Sequence, residues 1–192
     1  DSRNGLRSSK IKSVCATNDA SVWIGTELGF AKFTNGNFEN IFADENVSSN
    51  SCVSIFFFFF GIIWVGTDGG GVIKLPFHNI RNFTVKDGLA FNVVNAITGD
   101  GKGTIFIGSD RGVNRWDGKK MHLITPNNPL ANTIWSLHVD RKGVLWIGSE
   151  QHIYTYEQGQ LTDRTDIFTK TGGPIVDIEE DLTGQLWFGT LS

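Results

Sequence analysis

Three aspartates recur at one station of the sequence, Asp100, Asp140 and Asp181, each six residues ahead of an aromatic residue. A repeated carboxylate invites a catalytic reading, because carboxylates at suitable spacing do general acid–base work. An active site needs a unique constellation, however, and a group repeated in three units stands at three separate places. The simpler reading is structural: the Asp accepts hydrogen bonds from the amides of a turn whose fourth residue is Gly103, Gly143 or Gly184, the chemistry of a type I turn. The remaining acidic candidates, Asp177, Glu179 and Glu180, fall in one unit. A glycoside hydrolase requires a second carboxyl facing the first at roughly 5–10 Å, and no partner is evident, so no catalytic residue is assigned.

Other reactive side chains are as unpromising. His78, His122, His138 and His152 occupy unlike places in their surroundings, and Cys15 and Cys52 are the only cysteines, without metal-knuckle spacing. No metal site, cofactor or disulfide framework is expected. The sequence has no G-x-S-x-G, H-E-x-x-H or Walker-type loop. With 17 basic and 20 acidic residues, and no basic stripe, it does not suit nucleic acid. The most apolar run, 11 residues from Ile55 to Val65, is too short to cross a bilayer as a helix. The opening DSRNGLRSSK has neither an initiating methionine nor a signal-type apolar stretch, so the chain reads as cut from something longer.

The elements that position these residues are repeats. Five segments align without gaps: ASVWIGT, GIIWVGT, GTIFIGS, GVLWIGS and GQLWFGT, with aromatics Trp23, Trp64, Phe106, Trp146 and Trp187. The glycine two places on recurs as Gly25, Gly66, Gly108, Gly148 and Gly189, and successive repeats lie 41, 42, 40 and 41 residues apart. Each unit reads as four short strands with no helical periodicity, the signature of a propeller blade. The fold class is therefore all-β, a partial β-propeller of just over four blades in one domain spanning residues 1–192. Its first and last blades are expected to lack neighbours, leaving an open arc whose edges invite association, with a homodimer as one outcome.

In the LWIGT-type strand the aliphatics point one way, and the aromatic and glycine the other. Both faces are apolar, as a strand covered by two neighbouring blades requires. The glycine leaves room for a ring or the backbone of the next blade, and the repeated tryptophans read as core. Two units break the pattern. The first carries Thr17 at the aspartate station, and the second carries Phe57 to Phe60 where others have polar turn residues, within a run from Phe56 to Phe60. That run reads as a homopolymer error in the source sequence; taken at face value it is an apolar docking patch or an aggregation liability.

Units of the form D-x-x-G-x-L-W-I-G-T-x-x-G-x-x-x-[FWL] resemble the two-component regulator propeller repeat, over nearly the whole chain and best in the third and fourth units. The resemblance implies a non-enzymatic sensing module in the extracytoplasmic, periplasmic part of a hybrid sensor histidine kinase. It implies that kinase, receiver and DNA-binding parts lie beyond a membrane span, and that the ligand is an oligosaccharide. Scaffold and site then separate: repeats build the scaffold, and the non-repeating residues entering the innermost strands are the candidates. These are Asn92, Asn95, Asn132, Trp135 and Asp177. Amides beside an exposed ring suit sugar hydroxyls and apolar sugar faces. The alternative is that the asparagines cap turns and Trp135 packs inward.

Overall fold

The computed structural model describes residues 5–41, 51–58, 61–75, 80–124, 133–167 and 173–191. Four antiparallel four-stranded sheets follow one another, each strand pairing with the next in sequence. The first comprises β1 (Ile11–Ala16), β2 (Val22–Thr26), β3 (Gly29–Thr34) and β4 (Asn37–Ile41). The second comprises β5 (Cys52–Phe58), β6 (Ile62–Thr67), β7 (Val72–Leu75) and β8 (Arg81–Phe83). The third runs through β9 (Val94–Gly99), β10 (Ile105–Ser109), β11 (Gly112–Trp116) and β12 (Met121–Leu123). The fourth holds β13 (Ile134–Val139), β14 (Leu145–Ser149), β15 (Ile153–Glu157) and β16 (Gln160–Asp163). A fifth sheet pairs β17 (Ile175–Glu180) with β18 (Leu186–Thr190). The chain is all-β, and each sheet is a propeller blade.

The core lies in the seams between blades. First strands pack in series, β1 on β5, β5 on β9, β9 on β13 and β13 on β17. Second strands feed the seams from both faces, as their two-sided apolar pattern dictates. Ile63 and Val65 of β6 join Phe30 and Cys52 in the seam behind them, while Trp64 joins Val94, Ile105 and Ile107 in the seam ahead. Phe106 likewise packs ahead with Ile134 and Leu137. Trp146 meets Phe188 of the fifth blade, ring centroids 5.9 Å apart.

The repeated glycine is what lets blades approach. A Cβ on Gly66 would lie 2.7 Å from Val94 Cγ1 and 2.9 Å from the Val94 carbonyl oxygen; one on Gly108 would lie 2.7 Å from Ile134 Cγ2. Gly25 faces Cys52 and Gly148 faces Ile175 in the same way. Cys52, Val94, Ile134 and Ile175 occupy one register position, opposite Thr67, Ser109, Ser149 and Thr190. A small or branched residue of each blade is thus seated on the glycine of the blade before it, and burial pushes the seated Cys52 thiol up to about 12.

The phenylalanine run departs from expectation. Phe57 packs into the seam with the first blade, whereas Phe56 and Phe58 pack into the seam with the third. Successive residues of a strand point to opposite faces, and in a blade both faces are interior. Three adjacent phenylalanines are therefore ordinary core residues, not a solvent patch; Phe59 and Phe60 lie outside the described residues. The ends of the arc differ. Val14 of β1 is 60% exposed and Trp187 of β18 is 59% exposed, because no described residue covers either face.

Candidate functional site

The repeated aspartates are built into turns. One carboxylate oxygen accepts from the amides two and four residues on: Lys102 and Thr104 for Asp100, at 2.7 and 3.0 Å, and Lys142 and Val144 for Asp140, both at 2.9 Å. Asp181 accepts from Thr183 and Gln185 at 2.8 and 3.1 Å. Gly143 and Gly184 close these turns with φ near +86° and +87°, where a Cβ would be strained. The second oxygen has a use the spacing alone did not reveal. It accepts from the indole Nε1 of the repeat tryptophan, Trp146 to Asp140 and Trp187 to Asp181, each at 3.0 Å. Phe106 has no such donor. In the first blade, where Thr17 holds the station, Asp19 takes over: it accepts from the Thr17 hydroxyl, the Ser21 amide and Lys32 Nζ.

A different position carries individuality. The register of each first strand slips by one residue against its second strand. The skipped residues are Lys12, Val53, Asn95, Trp135 and Val176. A bulge turns its side chain out of the regular pleat and is common beside functional sites. Two sequence candidates, Asn95 and Trp135, occupy this position on adjacent blades, on the inner wall made by the first strands.

Asn95 Nδ2 donates to Asp110 Oδ1 at 2.9 Å and to the Ile134 carbonyl at 3.2 Å. Both amide protons are spent on the seam beside Trp135, which leaves the Asn95 carbonyl oxygen as the group to offer a ligand. Trp135 is 36% exposed between the fully buried Ile134 and the buried Ser136. Near the same end of the blades, Arg111 stacks on Phe91, 4.6 Å from its centroid, and Lys12 Nζ donates to Ser51 Oγ at 3.2 Å.

The other candidates are placed differently. Asn92 braces a loop: its Oδ1 accepts from the Val85 amide at 2.9 Å, and its backbone carbonyl accepts from Gly69 and Gly71. Asp177 pairs with Gly189 in register, level with Ser13, Ser54, Ala96 and Ser136. That position faces the following blade: Ser136 Oγ donates to the Ile175 carbonyl at 2.7 Å, and Ser13 Oγ accepts from the Ile55 amide at 2.9 Å. Asp177 therefore stands on a blade face, not at the bulge. Asn132 and His78 lie outside the described residues. Among the described residues no three His, Cys, Asp or Glu side chains come together as a metal site, and no helix is long and apolar enough to cross a membrane.

The model of the two component regulator propeller matches residues 128–151, the stretch that enters β13 and runs through β14. This chain carries a two component regulator propeller repeat. No curated protein sequence matches it. Among solved structures, the chain is similar to the extracellular domains of two proteins from B. thetaiotaomicron described as hybrid two component systems. One is 20% identical with a TM-score of 0.59, covering 96% of this chain and 32% of that one. The other is 19% identical with a TM-score of 0.75, covering 95% and 26%. Virginiamycin B lyase from Staphylococcus aureus, in its inactive H270A form with quinupristin, is 16% identical with a TM-score of 0.79, covering 93% and 62%. The chain thus spans about a third or less of the two extracellular domains. The likenesses establish the propeller fold, which serves sensors and enzymes alike.

Proposed function

We propose that the chain is part of the extracytoplasmic ligand-sensing propeller of a two-component receptor, binding an oligosaccharide and signalling to a kinase borne elsewhere in the protein. The observation that carries this reading is the pairing of a regulator-propeller repeat with an exposed Trp135 at a bulge on the inner wall. An indole offers a flat apolar face to a sugar ring while adjacent carbonyls accept its hydroxyls. The chain positions the ring: Ile134 anchors it in the seam, and the Asn95 bridge holds the neighbouring strand against it.

The test is titration of the chain with a panel of neutral and acidic oligosaccharides, followed by calorimetry and tryptophan fluorescence. Binding that is abolished in Trp135→Ala, with the variant's unfolding midpoint unchanged, is the expected result. Absence of binding across the panel, or equal affinity in the variant, overturns it. A second reading, a propeller used for protein association, is favoured by the exposed apolar faces at Val14 and Trp187; self-association without sugar binding supports it.

A further inference from the structure

The four seams can be compared one level below the seated aliphatics, near the aspartate turns. In the first seam Cys15 meets Phe57, whose backbone it hydrogen-bonds; in the second Phe56 meets Gly99. The corresponding positions of the third seam are Thr98 and Val139, and those of the fourth are His138 and Glu180. The fourth seam therefore sets an imidazole against a carboxylate where the others place apolar or neutral groups.

His138 Nε2 is buried and has no hydrogen-bond partner, and it lies 3.9 Å from Glu180 Oε2. Glu180 is already fixed: its Oε2 accepts from the Arg141 amide at 2.9 Å, and its Oε1 lies 3.9 Å from Arg141 Nε. The Arg141 guanidinium in turn grips the fifth blade, donating to the carbonyls of Asp181 and Leu182 at 2.7 and 2.8 Å. The charged surroundings of His138 are few. Its own strand and turn supply Asp140, engaged by amides and Trp146, and Arg141. Neither β9 nor β14 carries an ionisable side chain. From β17 Glu180 faces it, while Asp177 and Glu179 are exposed on the opposite face.

We propose that His138 and Glu180 form a proton-dependent clasp between the fourth and fifth blades. A proton taken from solvent makes the imidazole a cation with an N–H at Nε2 for the Glu180 carboxylate, closing the 3.9 Å gap into an ion pair; its loss leaves the nitrogen unpaired. The His138 side chain is 20% exposed, so solvent reaches it. The fifth blade is held more tightly with His138 protonated than with it neutral.

Hydrogen exchange of the amides at residues 175–180 tests this, corrected for intrinsic exchange and referenced to β9 and β10. Protection in the unmodified chain should rise about three- to fivefold from about pH 8 to about pH 5.5, the size of one partly exposed ion pair. His138→Gln and Glu180→Gln should each give a flat profile. Glu180→Gln leaves the imidazole in place, so it decides the question if His138→Gln fails to fold. A flat profile in the unmodified chain, or an unchanged slope in either folded variant, overturns the clasp.

Discussion

Trp64 and Trp187 hold the same place in β6 and β18, yet one is 1% exposed and the other 59%. Their local chemistry differs little, since both are flanked by apolar residues and followed two residues later by glycine. What differs is the neighbour: Trp64 is roofed by Phe83 and Trp116, with centroids at 5.9 and 6.2 Å, and Trp187 by nothing described. The hydrogen bond from Trp187 to Asp181 nonetheless matches that of the half-buried Trp146 to Asp140, both at 3.0 Å. Turn and indole form within one hairpin; burial comes from the outer strand of the same blade, through Phe83, and from the next blade, through Trp116. A propeller is in this sense close to a one-dimensional array, in which each unit depends on its neighbours.

The largest effect should separate these two rings. Trp64→Ala should cost about 3–5 kcal/mol, since it opens a cavity in a closed seam. Trp187→Ala should cost about 1 kcal/mol or less, chiefly the lost hydrogen bond. Urea unfolding monitored by circular dichroism measures both. Equal losses would mean that the Trp187 face is covered in solution, and the comparison between seam and end would fail.

Next in size is the glycine pair. In Gly148→Ala the new Cβ lies 2.8 Å from both Ile175 Cγ2 and the Ile175 carbonyl oxygen, and overpacking of that kind costs about 1–3 kcal/mol. In Gly189→Ala the nearest atom is Asp177 Cβ at 3.3 Å. That variant should change stability by less than about 0.5 kcal/mol. A loss in Gly189→Ala as large as in Gly148→Ala would show that something sits on the last glycine.

Much of this was legible in the sequence, and the exceptions have physical causes. The repeat, the two-sided second strand and the aspartate turn are local patterns written once per blade, so spacing reveals them. Asn95 and Trp135 stood out as non-repeating residues of first strands, but their shared bulge did not, because a register slip is a property of two paired strands. The phenylalanine run misled because polar turn residues were expected there; β5 simply extends to Phe58 and fills two seams. Asn92 and Asp177 stood out by type, but their roles, a loop brace and a blade face, are set by partners remote in sequence. Asp19 replaced the missing turn aspartate from two residues away, which alignment by position hides.

The indole–carboxylate bond provides a smaller test. Asp140→Ala should cost about 1–2 kcal/mol, and Asp100→Ala less, because Phe106 cannot donate. A double-mutant cycle of Asp140→Ala with Trp146→Phe should show a coupling of about 1 kcal/mol. Zero coupling would make the indole bond incidental and leave only the turn amides.

The smallest effect should be common to seam and end. The Thr183 hydroxyl, the Trp187 indole and the Gln185 amide hold the Asp181 carboxyl well below the usual carboxylate range. In Asp100 burial pushes the carboxyl up, but the amides of Lys102, Thr104 and Gly103 and the Thr104 hydroxyl outweigh it, and the net shift is downward. A carboxylate whose folded pKa is depressed stabilises the fold fully above its unfolded value of about 3.9 and loses that contribution as pH falls towards the folded value. The melting temperature should therefore be insensitive to these groups between about pH 7 and pH 5 and decline below about pH 4. Asp181→Asn and Asp100→Asn should each blunt the decline by a similar small amount, because both shifts arise within one turn and neither needs the next blade. If only the Asp100 variant blunted it, the turn of the end blade would not be formed in solution, and the separation of local turn chemistry from blade packing would be lost.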